Sequence, residues 1–125
     1  MRIAVVAALV VIASCGGDGA VAPYSCRAVL PGSDTLALCI DLVGGSAQDR
    51  SNNQQKCTAQ GNTFSDEPCP HAGALGGCRE TTSAAQITTW YYDDGTATAA
   101  DIQMLCEGLA GNVPSSIVKI EFVAP

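Results

Sequence analysis

Apolar and polar positions change rhythm several times along this chain, and each rhythm predicts an element. From Ile3 to Val11 every residue is apolar, and the run closes on Ile12-Ala13-Ser14-Cys15. Further on, Leu36, Leu38, Ile40 and Leu42 alternate with Thr35, Ala37, Cys39 and Asp41, the period of a half-buried strand. Ile87 to Tyr92 reads as a second strand, and Val118, Ile120 and Phe122 alternate with Lys119 and Glu121 in a last one, Ile117 to Val123. Helical spacing appears at Ile102, Leu105, Cys106 and Leu109, at i, i+3, i+4 and i+7, which predicts an apolar face. An earlier polar stretch, Gln48, Arg50, Asn52, Asn53, Gln54, Gln55 and Lys56, has almost no apolar face. Both stretches open on capping-box patterns, Ser46 with Asp49 and Thr98 with Asp101, and Gly61 and Gly111 stand where the chain leaves them. The region Asn62 to Gly77, rich in glycine, proline and small residues, is expected to be an irregular loop.

These elements occur twice in the same order. The first half runs Cys26-Arg27, a polar turn at Pro31-Gly32-Ser33-Asp34, a strand, a capped helix, Cys57 and Gly61-Asn62. The second runs Cys78-Arg79, a polar turn at Ser83 to Gln86, a strand, a capped helix, Cys106 and Gly111-Asn112. The outer cysteines are 31 residues apart in one half and 28 in the other. The expected fold is therefore α+β, a small disulfide-rich domain of duplicated β-β-α units. Four or five antiparallel strands would carry two helices on one face.

The duplication also constrains the disulfides. Six cysteines allow fifteen pairings, but if the halves share a fold, Cys26 pairs with Cys57 as Cys78 pairs with Cys106. That leaves Cys39 for Cys69. Alternation agrees, because Cys39 points away from the Leu36/Leu38/Ile40/Leu42 side, toward the face the helices leave open, where a loop carrying Cys69 would be tied down.

The leading apolar run is about ten residues long, the length of a signal h-region and too short to span a bilayer. Arg2 provides a minimal positive n-region, and Ile12-Ala13-Ser14-Cys15 has the form of a bacterial lipobox. The cysteine count fits: there are seven, and acylating Cys15 leaves an even set for disulfides. Residues 1–14 are then a lipoprotein signal peptide, 15–23 a flexible tether from the lipidated cysteine, and 24–125 one disulfide-stabilised domain. The competing reading is ordinary secretion with cleavage after Ala22, which Pro23 disfavours. The resemblance to bacterial lipoproteins, in some of which an aspartate after the cysteine favours inner-membrane retention, implies from Gly16 an outer-membrane location, on its periplasmic or its cell-surface side.

Charge and composition narrow the partners. The formal charge of −6 becomes −7 when Arg2 leaves with the leader, which argues against nucleic acid or anionic lipid as a target. Aromatics make up 5% of the residues, so the core is small and export through an oxidising compartment lets disulfides compensate.

Little of the remaining chemistry points to catalysis. Cys57, Cys69, Cys78 and His71 could be metal ligands, but no CxxC or HxxxH pair accompanies them, so no metal or cofactor is expected. His71 is the lone imidazole, in Pro70-His71-Ala72-Gly73, and no Gly-X-Ser-X-Gly elbow surrounds a serine. Asp93, Asp94 and Asp101 lack a calcium-loop pattern and read as turn and cap residues. Trp90-Tyr91-Tyr92 is the one aromatic cluster. Trp90 and Tyr92 share a strand face and offer a possible binding platform for a sugar ring or a protein, but packing beneath the Asn62–Gly77 loop is the preferred account.

Cys26-Arg27, Cys39 with Asp41, Cys57, Gly61-Asn62-Thr63-Phe64, Cys69-Pro70, Gly77-Cys78, Tyr91-Tyr92 and Cys106 together resemble small six-cysteine bacterial lipoproteins of myxobacterial type. The resemblance covers nearly all of the mature domain and departs at the end, where Gly111-Asn112-Val113 leads into another strand. It implies an envelope location and a disulfide domain, and it brings no activity. The expected function is a non-enzymatic, lipid-anchored binding or display module for an unknown protein or glycan ligand. The alternative is a membrane-tethered enzyme inhibitor or small hydrolase, with Asn62–Gly77 as an inhibitory loop.

Overall fold

A computed structural model describes residues 21–125; the expected leader, the expected lipobox and Cys15 lie outside them. The elements are β1 (Tyr24–Val29), β2 (Leu36–Gly44), α1 (Ala47–Ala59), β3 (Thr63–Ser65), β4 (Ala74–Thr81), β5 (Ala85–Tyr92), α2 (Ala99–Ala110) and β6 (Lys119–Val123). All six strands form one antiparallel sheet in the order β3-β1-β2-β5-β4-β6.

That order is a palindrome, and it shows what the repeat is. Each unit is β-β-α-β rather than β-β-α: β1, β2, α1 and β3 correspond to β4, β5, α2 and β6. The final strand matches β3. The units meet through β2 and β5, with Ile40 opposite Thr89, about an approximate two-fold axis normal to the sheet. One cross-strand row, Phe64–Cys26–Ile40–Thr89–Cys78–Phe122, maps onto itself under that axis. Directly opposed residues point to the same face. The helix-bound cysteines Cys57 and Cys106 bridge to Cys26 and Cys78 of this row, so α1 and α2 lie on the same side of the sheet.

The disulfides join Cys26 to Cys57, Cys39 to Cys69 and Cys78 to Cys106, with Cα separations of 5.9, 5.8 and 5.3 Å, within the range a bridge requires. This is the pairing that the duplicated cysteine order predicts. Each anchors one of three small apolar clusters: Tyr24, Cys26, Ile40, Leu42 and Cys57 under α1; Cys78, Ile102 and Cys106 under α2; and Cys39, Cys69, Trp90 and Tyr92 on the opposite face. With so few large side chains, the core is divided among three cystines.

Both helices begin with complete capping boxes. The Ser46 and Thr98 hydroxyls accept from the Asp49 and Asp101 amides, and the aspartates accept in return from the cap N–H groups. Hydrogen bonds from Thr98 hold the Asp101 carboxyl below its usual range. Past α1 the chain leaves through Gly61 in the left-handed region at φ +75°, but Gly111 after α2 stays right-handed.

Several expectations need correction. Leu36 does not share a face with Leu38, Ile40 and Leu42. Ala28 opposes Leu38 and Val29 opposes Leu36, so Ala37 is an extra residue in β2. Such a bulge reverses the alternation, and Leu36 packs with Cys39 and Trp90 instead. The supposed irregular region contains β3 and the start of β4, leaving only 66–73 without regular structure. In α2 the buried pair is Ile102 and Cys106; Leu105 and Leu109 are 42% and 37% exposed, because α2 sits on β4 and β6 by one narrow stripe. The last strand starts at Lys119, and Ile117 is exposed in the turn before it. Residues just before β1 join the fold as well: Val21 packs against the first cluster, and the Ala22 carbonyl accepts from Arg50.

Candidate functional site

On the face away from the helices, residues 66–73 cross β1, β2 and β5 as a strap. Its backbone is matched to the side chains beneath it almost atom for atom. The Ser25 hydroxyl donates to the Glu67 carbonyl at 2.6 Å, and Arg27 Nη2 donates to the Pro68 carbonyl at 3.0 Å. The Tyr92 hydroxyl donates to the Pro70 carbonyl at 2.5 Å. These three side chains are donors, so the strap must offer acceptors, and Pro68 and Pro70 supply carbonyls without an N–H to leave stranded. The amide between those prolines, that of Cys69, points inward and donates to Asp41 Oδ1 at 2.8 Å. Cys39–Cys69 then closes the strap covalently.

Asp41 links this arrangement to the aromatic cluster. Its second oxygen accepts from Trp90 Nε1 at 2.8 Å, so one carboxylate fixes both the strap and the indole. The indole lies across Gly77: a Cβ there would come to 3.1 Å from Trp90 Cε3, so any side chain would need the ring to give by a few tenths of an ångström. Above, the His71 ring covers the indole at 4.3 Å between centroids. Trp90 and Tyr92 are 3% and 7% exposed. Both rings are therefore buried beneath the strap, as the packing account of this cluster expects, and neither presents an exposed face. Burial, reinforced by the negative charge of Asp41 and opposed by Arg27, pushes the Tyr92 phenol up to about 12.

The strap offers its surroundings side chains rather than backbone. Asp66, Glu67, Pro68 and His71 are exposed, while Cys69 is buried. At its start, Asp66 forms an ion pair with Arg50, whose guanidinium lies 5.1 and 5.0 Å from the ring centres of Tyr24 and Phe64. Arg50 thereby joins α1, β1, β3, the Ala22 carbonyl and the strap. At its end, the Gly73 carbonyl accepts from the Asp93 amide, which opens the Asp93–Thr96 turn. There the Asp93 and Asp94 carboxylates accept from the amides of Gly95 and Thr96, and the Thr96 bonds hold the Asp94 carboxyl below its usual range. These aspartates are engaged in turn formation.

Sequence reasoning placed the Asn62–Gly77 region and Cys69 over this face but did not single out Ser25, Arg27 or Asp41 as the residues beneath it. The available signal was their position on alternate places of two adjacent strands, on the Cys39 side. Chemically, the site fits a rigid presented surface. All six cysteines of the domain are in disulfides, and among the described residues no group of three or more His, Cys, Asp or Glu is placed to hold a metal ion. Ser25, buried beside the strap, commits its hydroxyl to the Glu67 carbonyl.

Comparison with known proteins finds no matching family model, no similar curated protein and no similar solved structure. The resemblance in cysteine spacing to six-cysteine lipoproteins gains no support from them.

Proposed function

We propose that the chain is a lipid-anchored protein of the bacterial cell envelope, held by acyl chains on Cys15, whose domain is a non-enzymatic binding or display module. Its partner is a protein or glycan contacted through the strap. The observation that carries the reading is the inward-turned backbone of residues 67–70. A segment whose polar groups are satisfied from below is held rigid without occupying its outward side chains, and pre-ordering reduces the entropy lost on binding. Glu67, Pro68 and His71 are the contact residues of this reading.

The pinned loop also favours a second reading, a membrane-tethered enzyme inhibitor. Against it stands the same geometry. A loop that enters a protease cleft as an added strand recognises it by main-chain hydrogen bonds, and here the carbonyls of Glu67, Pro68 and Pro70 are already engaged.

The test is capture of partners from envelope extract by the detergent-solubilised protein and by its Glu67→Ala and His71→Ala variants. A partner retained by the parent and lost by the variants is the expected result. Equal retention by all three proteins overturns the strap as the contact surface. A captured protease whose active site is blocked replaces the binding module with the inhibitor.

A further inference from the structure

The approximate two-fold axis makes the strap half of a pattern. Under it, β1 overlays β4, so Arg27 is equivalent to Arg79, and Cys39 is equivalent to Thr88. Both arginines follow the cysteine that holds a helix, and both lie on the face away from the helices. In the first unit the strap crosses this row, and Arg27 spends Nη2 on the Pro68 carbonyl. In the second unit Arg79 donates from Nε to the Thr88 hydroxyl at 3.4 Å, and its terminal nitrogens have no partner among the described residues. Its cross-strand neighbour Glu121 is paired with Lys119 instead, at 3.0 Å. Around Arg79 lie the half-buried Thr81 and Gln86 and the exposed Lys119 and Val43. This half of the face is rich in donors and has no strap.

We propose that the uncovered surface of β4, β5 and β6 around Arg79 is a docking site for an extended, acidic, proline-containing peptide segment of a partner protein, bound as residues 66–70 are bound in the other half. The molecule itself shows what such a surface takes. A strap over Arg27 supplies carbonyls to side-chain donors, and its prolines remove amide donors that would find no acceptor. The terminal nitrogens of Arg79 set the same requirement, while Gln86 Nε2 is lent to Thr81 Oγ1 at 3.5 Å and Lys119 to Glu121, and the guanidinium adds a preference for a carboxylate. Thr88 in place of Cys39 makes the contact non-covalent and therefore reversible. The site is separate from Glu67 and His71, so it stands or falls independently of the strap as a contact surface.

The probe is a capped peptide with the sequence of residues 65–70, serine replacing Cys69, titrated into the isotopically labelled protein and followed by backbone amide shifts. Saturable shifts confined to β4, β5 and β6 around Arg79 are expected. Arg79→Ala, with its amide spectrum otherwise unchanged, should weaken binding about ten-fold, the loss of one charged hydrogen bond. A second variant, Lys119→Gln at the exposed rim, and a peptide with asparagine and glutamine for its two acids should each bind more weakly than the parent pair. Absence of saturable shifts, shifts centred on the helix face or the strap, or undiminished binding by Arg79→Ala overturns the proposal.

Discussion

Tyr92 shows how one side chain makes the strap's attachment sensitive to pH. Its hydroxyl donates to the Pro70 carbonyl only while protonated, and burial raises its pKa from 10.0 to about 12. The native state thus holds this proton more tightly than the unfolded chain. The resulting stability is complete below about pH 10 and is lost as the pH rises toward 12. Burial raises the Tyr24 and Tyr91 pKa values in the same direction. The urea midpoint is therefore expected to fall across this window. Tyr92→Phe should cost about 1 kcal/mol at neutral pH, one hydrogen bond, and should flatten part of the alkaline slope. An unchanged slope in the variant would remove Tyr92 as its source.

The two helices are equivalent by topology but are held differently. α2 seats Ile102 and Cys106 on its strands, whereas the buried residues of α1 are Asp49, Asn53 and Cys57. Asn53 donates to the Tyr24 hydroxyl at 3.0 Å, and Arg50 packs over Tyr24 and Phe64. A helix with so little apolar burial depends on its covalent link. Closing a loop of this length stabilises by about 3.5 kcal/mol in the chain-entropy model, a large share of a usual 5–15. Removing Cys26–Cys57 by paired serine substitutions should release α1 locally, with its amides exchanging well ahead of the sheet. Removing Cys78–Cys106 should leave α2 better protected than α1 is in the first variant, because Ile102 remains buried. Hydrogen exchange decides, and equal loss of protection in the two helices would refute the distinction.

At the scale of the whole molecule, residues 21–22 and the strap lie at opposite faces of one thin sheet. Val21 and Ala22 are held beside α1, and Arg50 reaches from there to Asp66 at the strap's beginning. A chain anchored through residues before Val21 would be attached on the helix side, leaving the strap on the face turned away from the attachment. Mass spectrometry of the mature N-terminal peptide should find an acylated Cys15, with two or three chains, since one chain binds only marginally. An unmodified start at Pro23, or an uncut leader, would overturn the anchor.

Fold class, caps and cysteine pairing were legible in the sequence because each rests on local spacing or on an order that occurs twice. Alternation marked β2, Ser46 and Thr98 marked the helix starts, and the repeated cysteine order selected the three bridges. Positions set by contacts between distant segments were not legible. β3 is three residues long, too short to carry a period, and exists because Ser25, Cys26 and Arg27 offer it a partner. Leu36 changes face because a bulge inserts Ala37, which no alternation pattern can reveal. Trp90 and Tyr92 could be assigned to one side by periodicity, but their burial depends on a strap that arrives through Cys69 and is held by Ser25, Arg27 and Asp41. Sequence by itself determined the two helices, the alternating strands and which cysteines correspond. Only tertiary structure decided which face each element presents, what covers it, and that Arg79 stands where its twin Arg27 holds a strap. The physical reason is that periodicity acts over one or two turns of chain, whereas burial is settled by whatever segment folds over from far away.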